Sequence, residues 1–334
     1  MDSLNETSMT NDTTEISYDN TLEHPVLHFT PEGFVHGLHA FIALAMLLGL
    51  PGNILVVLVH RKITTPTATD WVVFYLAVCD IASLAVCGPS YMLITSKVWN
   101  NFMPSFFCSL HFMIMHTCYI ASTSLITASA VIRRSVMITN QEPISARKSK
   151  LFGAISILLA IGLGSPSFVL NKNSPSGYCY YDQQKAQLQT IVYGVYLLII
   201  LISNVVTCVC YLNIIPKFRN AARVAPTGLG NINDAFIRTR QAARKATICL
   251  ALVFVVFLFT QAVPLIFVII VNASNHNVGV TMSTLIFLLT RLYFINNFAN
   301  PLIYLSINSR FRNRARSLFQ RSGNNSNITT IASR

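Results

Sequence analysis

Residues 35–59 read VHGLHAFIALAMLLGLPGNILVVLV, twenty-five positions without an Asp, Glu, Lys or Arg. A helix needs about 20 apolar residues to cross the roughly 30 Å hydrocarbon core of a bilayer, and this run exceeds that. Comparable stretches occupy 71–95, 105–132, 151–170, 188–215, 246–271 and 281–305. Backbone polar groups in lipid must pair within their own segment, so each stretch is expected as a helix. Composition agrees: the chain is 53% hydrophobic and 11% charged, which excludes an ordinary soluble domain.

The charges between the stretches are sorted by side. Numbering the connecting segments alternately outside and inside from the N-terminus, twenty of the twenty-four Lys and Arg fall inside. The first sixty residues hold seven of the twelve acids and no Lys or Arg. Cytoplasmic loops retain Lys and Arg, so this sorting puts the N-terminus outside and the C-terminus inside. The net charge of +12 then points to anionic inner-leaflet lipid and an acidic cytosolic partner rather than nucleic acid. The tail before the first span lacks the pattern of a cleaved signal peptide, so the first helix is expected to act as its own insertion signal. Asn5, Asn11 and Asn272 stand in glycosylation sequons on the outer side. The expected fold is therefore all-α. A glycosylated extracellular tail (1–33) precedes a seven-transmembrane helix bundle (34–307), followed by a short amphipathic eighth helix and cytoplasmic tail (308–334). The expected location is the plasma membrane.

Six of the eight cysteines sit inside spans as small buried apolar residues. Cys108 opens the third span and Cys179 lies in the outer loop after the fourth. Both face an oxidising compartment, so a disulfide is expected between them. Single polar landmarks punctuate the spans: Asn53 in the first, Asp80 within Leu76-Ala77-Val78-Cys79-Asp80, Arg133 ending the third and Tyr211 in the fifth. Pro264 lies in the sixth, and Asn300-Pro301-Leu302-Ile303-Tyr304 closes the seventh. Cys108 and Arg133 are about 37 Å apart along a helix, one at each mouth of the membrane. Asp80 is the one acid within a span, about 15 Å deep, which makes it a functional candidate by default.

In order, spacing and sidedness these landmarks resemble the rhodopsin-like family of G-protein-coupled receptors, from about Gly33 to Phe319. The resemblance implies that Arg133 contacts a G protein when helix 6 swings outward, with Tyr211, Pro264, Pro301 and Tyr304 taking part in activation. It also implies that Asp80, with Asn53, Ser122, Asn296, Asn297 and Asn300, surrounds an allosteric sodium ion favouring the inactive state. The other reading of that cluster is a polar knot that pins helices together. No other cofactor is expected. The sequence departs from the family pattern in several places. The acid before the helix 3 Arg is replaced by Ile132, and the base of helix 6 carries Arg244 where some relatives have an acid. Ala262 stands in the place of the helix 6 Trp, and Ser203 replaces the helix 5 proline. Missing ionic partners for Arg133 imply a raised resting population of the active state.

Phe112, Met115, His116 and Tyr119 recur at helical spacing on one face of helix 3 and are expected to line the outer cavity. Ala262, Leu265, Thr290 and Phe294 complete the expected ligand pocket. His116 has an equal alternative as a hydrogen-bonded packing residue. Met115 stands where amine receptors carry an Asp, and Phe294 where opsins carry a Lys, so neither an amine ligand nor retinal is expected. Arg291 falls nearly opposite Asn300 on the helical wheel, toward helix 1, where a structural or snorkelling role outweighs ligand contact. The tail is too short to form a hormone-capturing domain. The expected ligand is a peptide or small molecule, and the expected partners are a heterotrimeric G protein, membrane lipid and an arrestin drawn to the Ser/Thr-rich tail. An enzyme reading fails: the spans hold His111, His116 and Asp80 but no H-E-x-x-H or G-x-S-x-G. The alternative function is a receptor-like seven-helix protein that binds ligand or a partner receptor without activating G protein.

Overall fold

The computed structural model describes residues 32–96, 105–139, 144–173, 179–181, 183–223, 230–264 and 288–331, with isolated positions at 266 and 285. Eight helices follow in chain order. They are α1 (Glu32–Arg61), α2 (Ala68–Thr95), α3 (Ser105–Thr139), α4 (Ala146–Leu170), α5 (Ala186–Arg223), α6 (Gly230–Phe257, continued by a π turn at Leu258–Ala262), α7 (Tyr293–Ile307) and α8 (Ser309–Ile331). Among the described residues α1 to α6 each contain a stretch long and apolar enough to cross a membrane. The seventh expected span begins outside the described residues, and its inner portion is α7. The expected glycosylation sites Asn5, Asn11 and Asn272 also lie outside them, as does Leu265.

Short polar side chains build the starts of α2 and α4. Thr67 caps α2 in a reciprocal box: its Oγ1 accepts from the Asp70 N–H at 3.3 Å while its own N–H donates to Asp70 Oδ2 at 2.8 Å. Ser145 caps α4 through the Lys148 N–H. Prolines distort the middles. Pro89 lacks the N–H that would close the preceding turn of α2, and a π turn at Ser83–Cys87 lies immediately upstream. The π turn of α6 likewise runs up to Val263-Pro264. In α4 the helix is relaid at Ser165-Pro166, where the Ser165 hydroxyl donates to the Gly162 carbonyl.

Packing is inside-out relative to a water-soluble bundle. Leu47 of α1, Leu158 of α4 and Leu212 of α5 are 70%, 67% and 63% exposed, whereas Asn53, Asp80 and Asn300 are essentially fully buried. Such an apolar exterior is stable only in hydrocarbon, which places the described helices in lipid. Helix α3 is central and touches α2, α4, α5 and α6, while α1 is held by α2 and α7. Because lipid gives no hydrophobic drive between helices, close approach matters. At Gly52 an added Cβ would stand 2.7 Å from the ring of Pro301, so only glycine lets α1 seat against the α7 proline.

The outer surface carries a small feature that span reading did not foresee. Asn171–Asn173 (β1) and Cys179–Tyr181 (β2) form an antiparallel pair with Asn173 opposite Cys179. The expected disulfide joins Cys179 to Cys108 at the top of α3, with the Cα atoms 5.7 Å apart. The Ser109 hydroxyl donates to the Asn171 carbonyl beside it. At the inner end, Asn308 caps α8 by accepting from the Phe311 N–H, and Phe311 and Ala315 are buried against the bundle. Arg310, Arg314 and Arg316 face out, as the amphipathic pattern predicts. The helical backbone continues past the expected end near Phe319 to Ile331.

Candidate functional site

Three helices contribute a buried polar clasp at mid-membrane. Asn300 Nδ2 of α7 donates to Asp80 Oδ2 of α2 at 2.8 Å. One turn along on each helix, Asn297 Nδ2 donates to Ser83 Oγ at 2.7 Å. Asn53 of α1 donates to the Asn297 carbonyl at 2.7 Å and to the Gly49 carbonyl at 3.0 Å. Asn296 is buried beside them in sequence, and Ser122 of α3 is buried as well. The spacing makes this possible: Asp80 and Ser83, like Asn297 and Asn300, are three residues apart and so share a helix face. Ser83 is the member that sequence reading missed, although its offset from Asp80 would have identified it.

The clasp is incompletely satisfied. Asp80 Oδ1, Asn53 Oδ1, Asn296 Oδ1 and Asn300 Oδ1 are buried without a hydrogen-bond partner among the described residues. A charged side chain at mid-bilayer costs about 3 kcal/mol, whereas an interhelical hydrogen bond in a membrane bundle returns about 0.6 kcal/mol. The single bond from Asn300 therefore does not offset the cost of Asp80. All four unfilled atoms are oxygens, the donor type that hard cations prefer. The donor type of these residues is therefore one that a sodium ion would accept, with Asp80 and the side-chain carbonyls of Asn53, Asn296 and Asn300 as the groups that would hold it.

At the cytosolic mouth, Arg133 has no acid within ion-pair distance among the described residues, and its Nε is buried without a partner. Ile132 is inserted in the main apolar core together with Leu250, Val253 and Phe254 of α6. The position that would carry an acid is thus used for packing. Tyr211 of α5 stacks on Phe254 at 5.9 Å, and the partly buried Tyr211 side chain lies within Coulomb range of Arg133. Tyr304 ends the cluster, 6.1 Å from Phe311 with its hydroxyl buried and unpaired among the described residues. Pro264 and Pro301 are both buried.

The residues expected to line the ligand cavity fall into separate neighbourhoods. His116 Nδ1 lies 2.8 Å from Ser167 Oγ of α4, which in turn lies 3.2 Å from Tyr196 Oη of α5. Tyr196 also donates to the Leu163 carbonyl at 2.6 Å. With Tyr193 and Phe112 at 5.5 and 6.3 Å from its ring, His116 has the surroundings of the hydrogen-bonded packing alternative. Met115 is half-buried, and Tyr119 stacks on Phe257 of α6 at 6.2 Å. Phe294 is fully buried in another cluster, 6.5 Å from Tyr91. Thr290 accepts from Arg291, whose guanidinium lies 4.7 Å over the Tyr91 ring. The side chain of Ala262 lies outside the described set.

An apolar-faced helical bundle with buried polar contacts between α1, α2 and α7, a disulfide-tethered outer hairpin and an arginine at the inner mouth defines a membrane receptor of one family. The chain belongs to the rhodopsin family of seven-transmembrane receptors, the class A G-protein-coupled receptors: residues 52–304 match the family described as "7 transmembrane receptor (rhodopsin family)". It is a multi-pass membrane protein of a family of receptors, not of enzymes. Among curated proteins it is similar to the KiSS-1 receptor of Rattus norvegicus, 26% identical over 292 residues that cover 81% of this chain and 72% of the relative. The KiSS-1 receptors of Mus musculus and Homo sapiens are 25% and 26% identical over 288 residues, covering 81% of this chain and 72% and 71% of the relatives.

Proposed function

We propose that this protein is a plasma-membrane receptor, N-terminus outside, that converts binding of an extracellular peptide into nucleotide exchange on a cytosolic G protein. The observation that carries the coupling half is Arg133 at the inner end of α3, with Ile132 in the core beside it and, among the described residues, no acid within ion-pair distance. An arginine without a resting ion pair costs less to hand over to an acidic partner. The peptide half is supported by the acidic outer tail, the polar outer loops and similarity to receptors named for KiSS-1. Asp80, with Asn53, Ser122, Asn296, Asn297 and Asn300, is the sodium-sensitive hinge between α1, α2, α3 and α7. Tyr211, Pro264, Pro301 and Tyr304 belong to the moving parts.

The test is ligand-free signalling in cells with confirmed surface expression. The receptor gives output above vector, Arg133→Ala abolishes it, and Ile132→Asp lowers it by supplying the missing acid. Output equal to vector, together with silence toward a broad peptide panel, would favour a receptor-like protein that binds without activating G protein.

A further inference from the structure

Four of the chain's eight histidines fall within residues 24–39: His24, His28, His36 and His39. Elsewhere among the described residues, His60, His111 and His116 are buried in the bundle. His36, by contrast, is exposed and His39 half-buried at the outer end of α1. The two are three residues apart and so share a helix face, and His36 lies within Coulomb range of His39. His39 is fourteen residues before Asn53, about 21 Å outward of the mid-membrane clasp. Half of the hydrocarbon core is about 15 Å, so the pair stands at the aqueous boundary, within reach of dissolved ions.

One ring is already oriented as a metal ligand. His39 Nε2 lies 2.7 Å from Thr95 Oγ1 of α2. The single hydroxyl proton of Thr95 goes to the Tyr91 carbonyl at 2.9 Å. Thr95 Oγ1 therefore accepts from His39, which puts the proton of the neutral ring on Nε2 and leaves Nδ1 with its lone pair. Metal-bound histidines are held in this way, the far N–H donated to a neighbouring oxygen that orients the ring. Among the described residues no third His, Cys, Asp or Glu joins the pair. Glu32, the first residue of α1, is four positions before His36, the spacing that puts a carboxylate on the same helical face. Glu23, His24 and His28 lie outside the described residues and carry the same donor chemistry, so the site does not depend on this face being bare. The surroundings favour a cation, since the first sixty residues hold seven acids and no Lys or Arg. Imidazole nitrogen suits zinc, whereas calcium and magnesium prefer oxygen. We propose that His36 and His39, with Glu32, form an extracellular zinc site at the outer end of α1, braced by Thr95 of α2. Because the brace belongs to α2, the affinity for the ion is tied to the seating of α1 against α2.

The experiment uses the purified full-length receptor, without a polyhistidine tag, in phosphatidylcholine nanodiscs, with zinc chloride as the probe. Calorimetry reads affinity, elemental analysis reads stoichiometry, and X-ray absorption reads the ligand atoms. The wild-type receptor takes up one zinc ion, with nitrogen ligands at about 2.0–2.1 Å. His36→Ala and His39→Ala each weaken binding by more than about tenfold, and Thr95→Val, which removes only the brace, by about tenfold. His36 is exposed and alanine favours helix, so His36→Ala keeps its fold and carries the test even if His39→Ala does not. A His24→Ala, His28→Ala double variant still takes up one ion. No zinc uptake by the wild-type receptor would overturn the proposal, as would wild-type affinity in His36→Ala or in Thr95→Val. Loss of all uptake in the double variant would place the ion in the tail, with the same consequence. Displacement of zinc by an equal concentration of calcium would mark an oxygen site and overturn it too.

Discussion

Asp80 and Gly52 show how little chemistry holds three helices in register. Among the described residues the Asp80 carboxylate receives one side-chain hydrogen bond, from Asn300, and Gly52 admits the Pro301 ring. Asn300→Ala strips the carboxylate of that bond and should lower stability by about 1–2 kcal/mol, seen as a reduced melting temperature of the purified receptor. An unchanged melting temperature would mean that Asp80 is satisfied by something else. Gly52→Val drives two methyls into a proline ring and should cost about 1–3 kcal/mol by overpacking. Its readout is surface expression and thermal stability, and wild-type values would deny the close approach. Asp80 was legible as a candidate because an acid in an apolar run has few bland explanations. Gly52 was not legible as a contact, since its partner lies far along the chain and a glycine in a span has many uses. Ser83 lay between these cases: its offset from Asp80 signals a shared face, but serine in a membrane helix commonly bonds its own backbone.

Helices were read from hydrophobic length alone, and that signal is strong because lipid leaves the backbone no other solution. Their irregularities were legible only through proline. The π turns at Ser83–Cys87 and Leu258–Ala262 each precede a proline that cannot close the ladder, yet nothing in the sequence said that the ladder would widen instead of kinking. The outer β pair escaped because three-residue strands carry no periodicity. The junction of α7 and α8 is a further local device. Arg312 Nη1 donates to the Leu305 carbonyl at 3.0 Å and to the Ser306 carbonyl at 2.6 Å, satisfying the open end of α7 and countering its dipole. Arg312→Ala should loosen this joint by about 1 kcal/mol and speed amide exchange across residues 306–312, leaving α1 to α6 unchanged. Uniform exchange rates in the two proteins would show the capping contact to be idle.

Seen together, the helices form a bundle whose apolar exterior fits lipid and whose polar interior is left under-bonded. Unfilled acceptors around Asp80, and an Arg133 Nε and Tyr304 hydroxyl without a partner among the described residues, are costly in one rigid packing. Such groups persist where a second packing uses them, and that is the physical basis for a two-state receptor. The sorting of basic and acidic segments, from which the orientation is expected, depends on none of these contacts, whereas the switch is implied only by resemblance. The central claim is that the Asp80 cluster sets the balance between two packings. Its most direct test is nucleotide exchange on a G protein by the purified, ligand-free receptor, titrated with sodium against potassium at constant ionic strength. Sodium should lower exchange in the wild-type receptor, and Asp80→Asn should remove that response while the protein remains folded. A sodium response that survives in Asp80→Asn, or none in an exchange-competent wild-type receptor, would contradict the account.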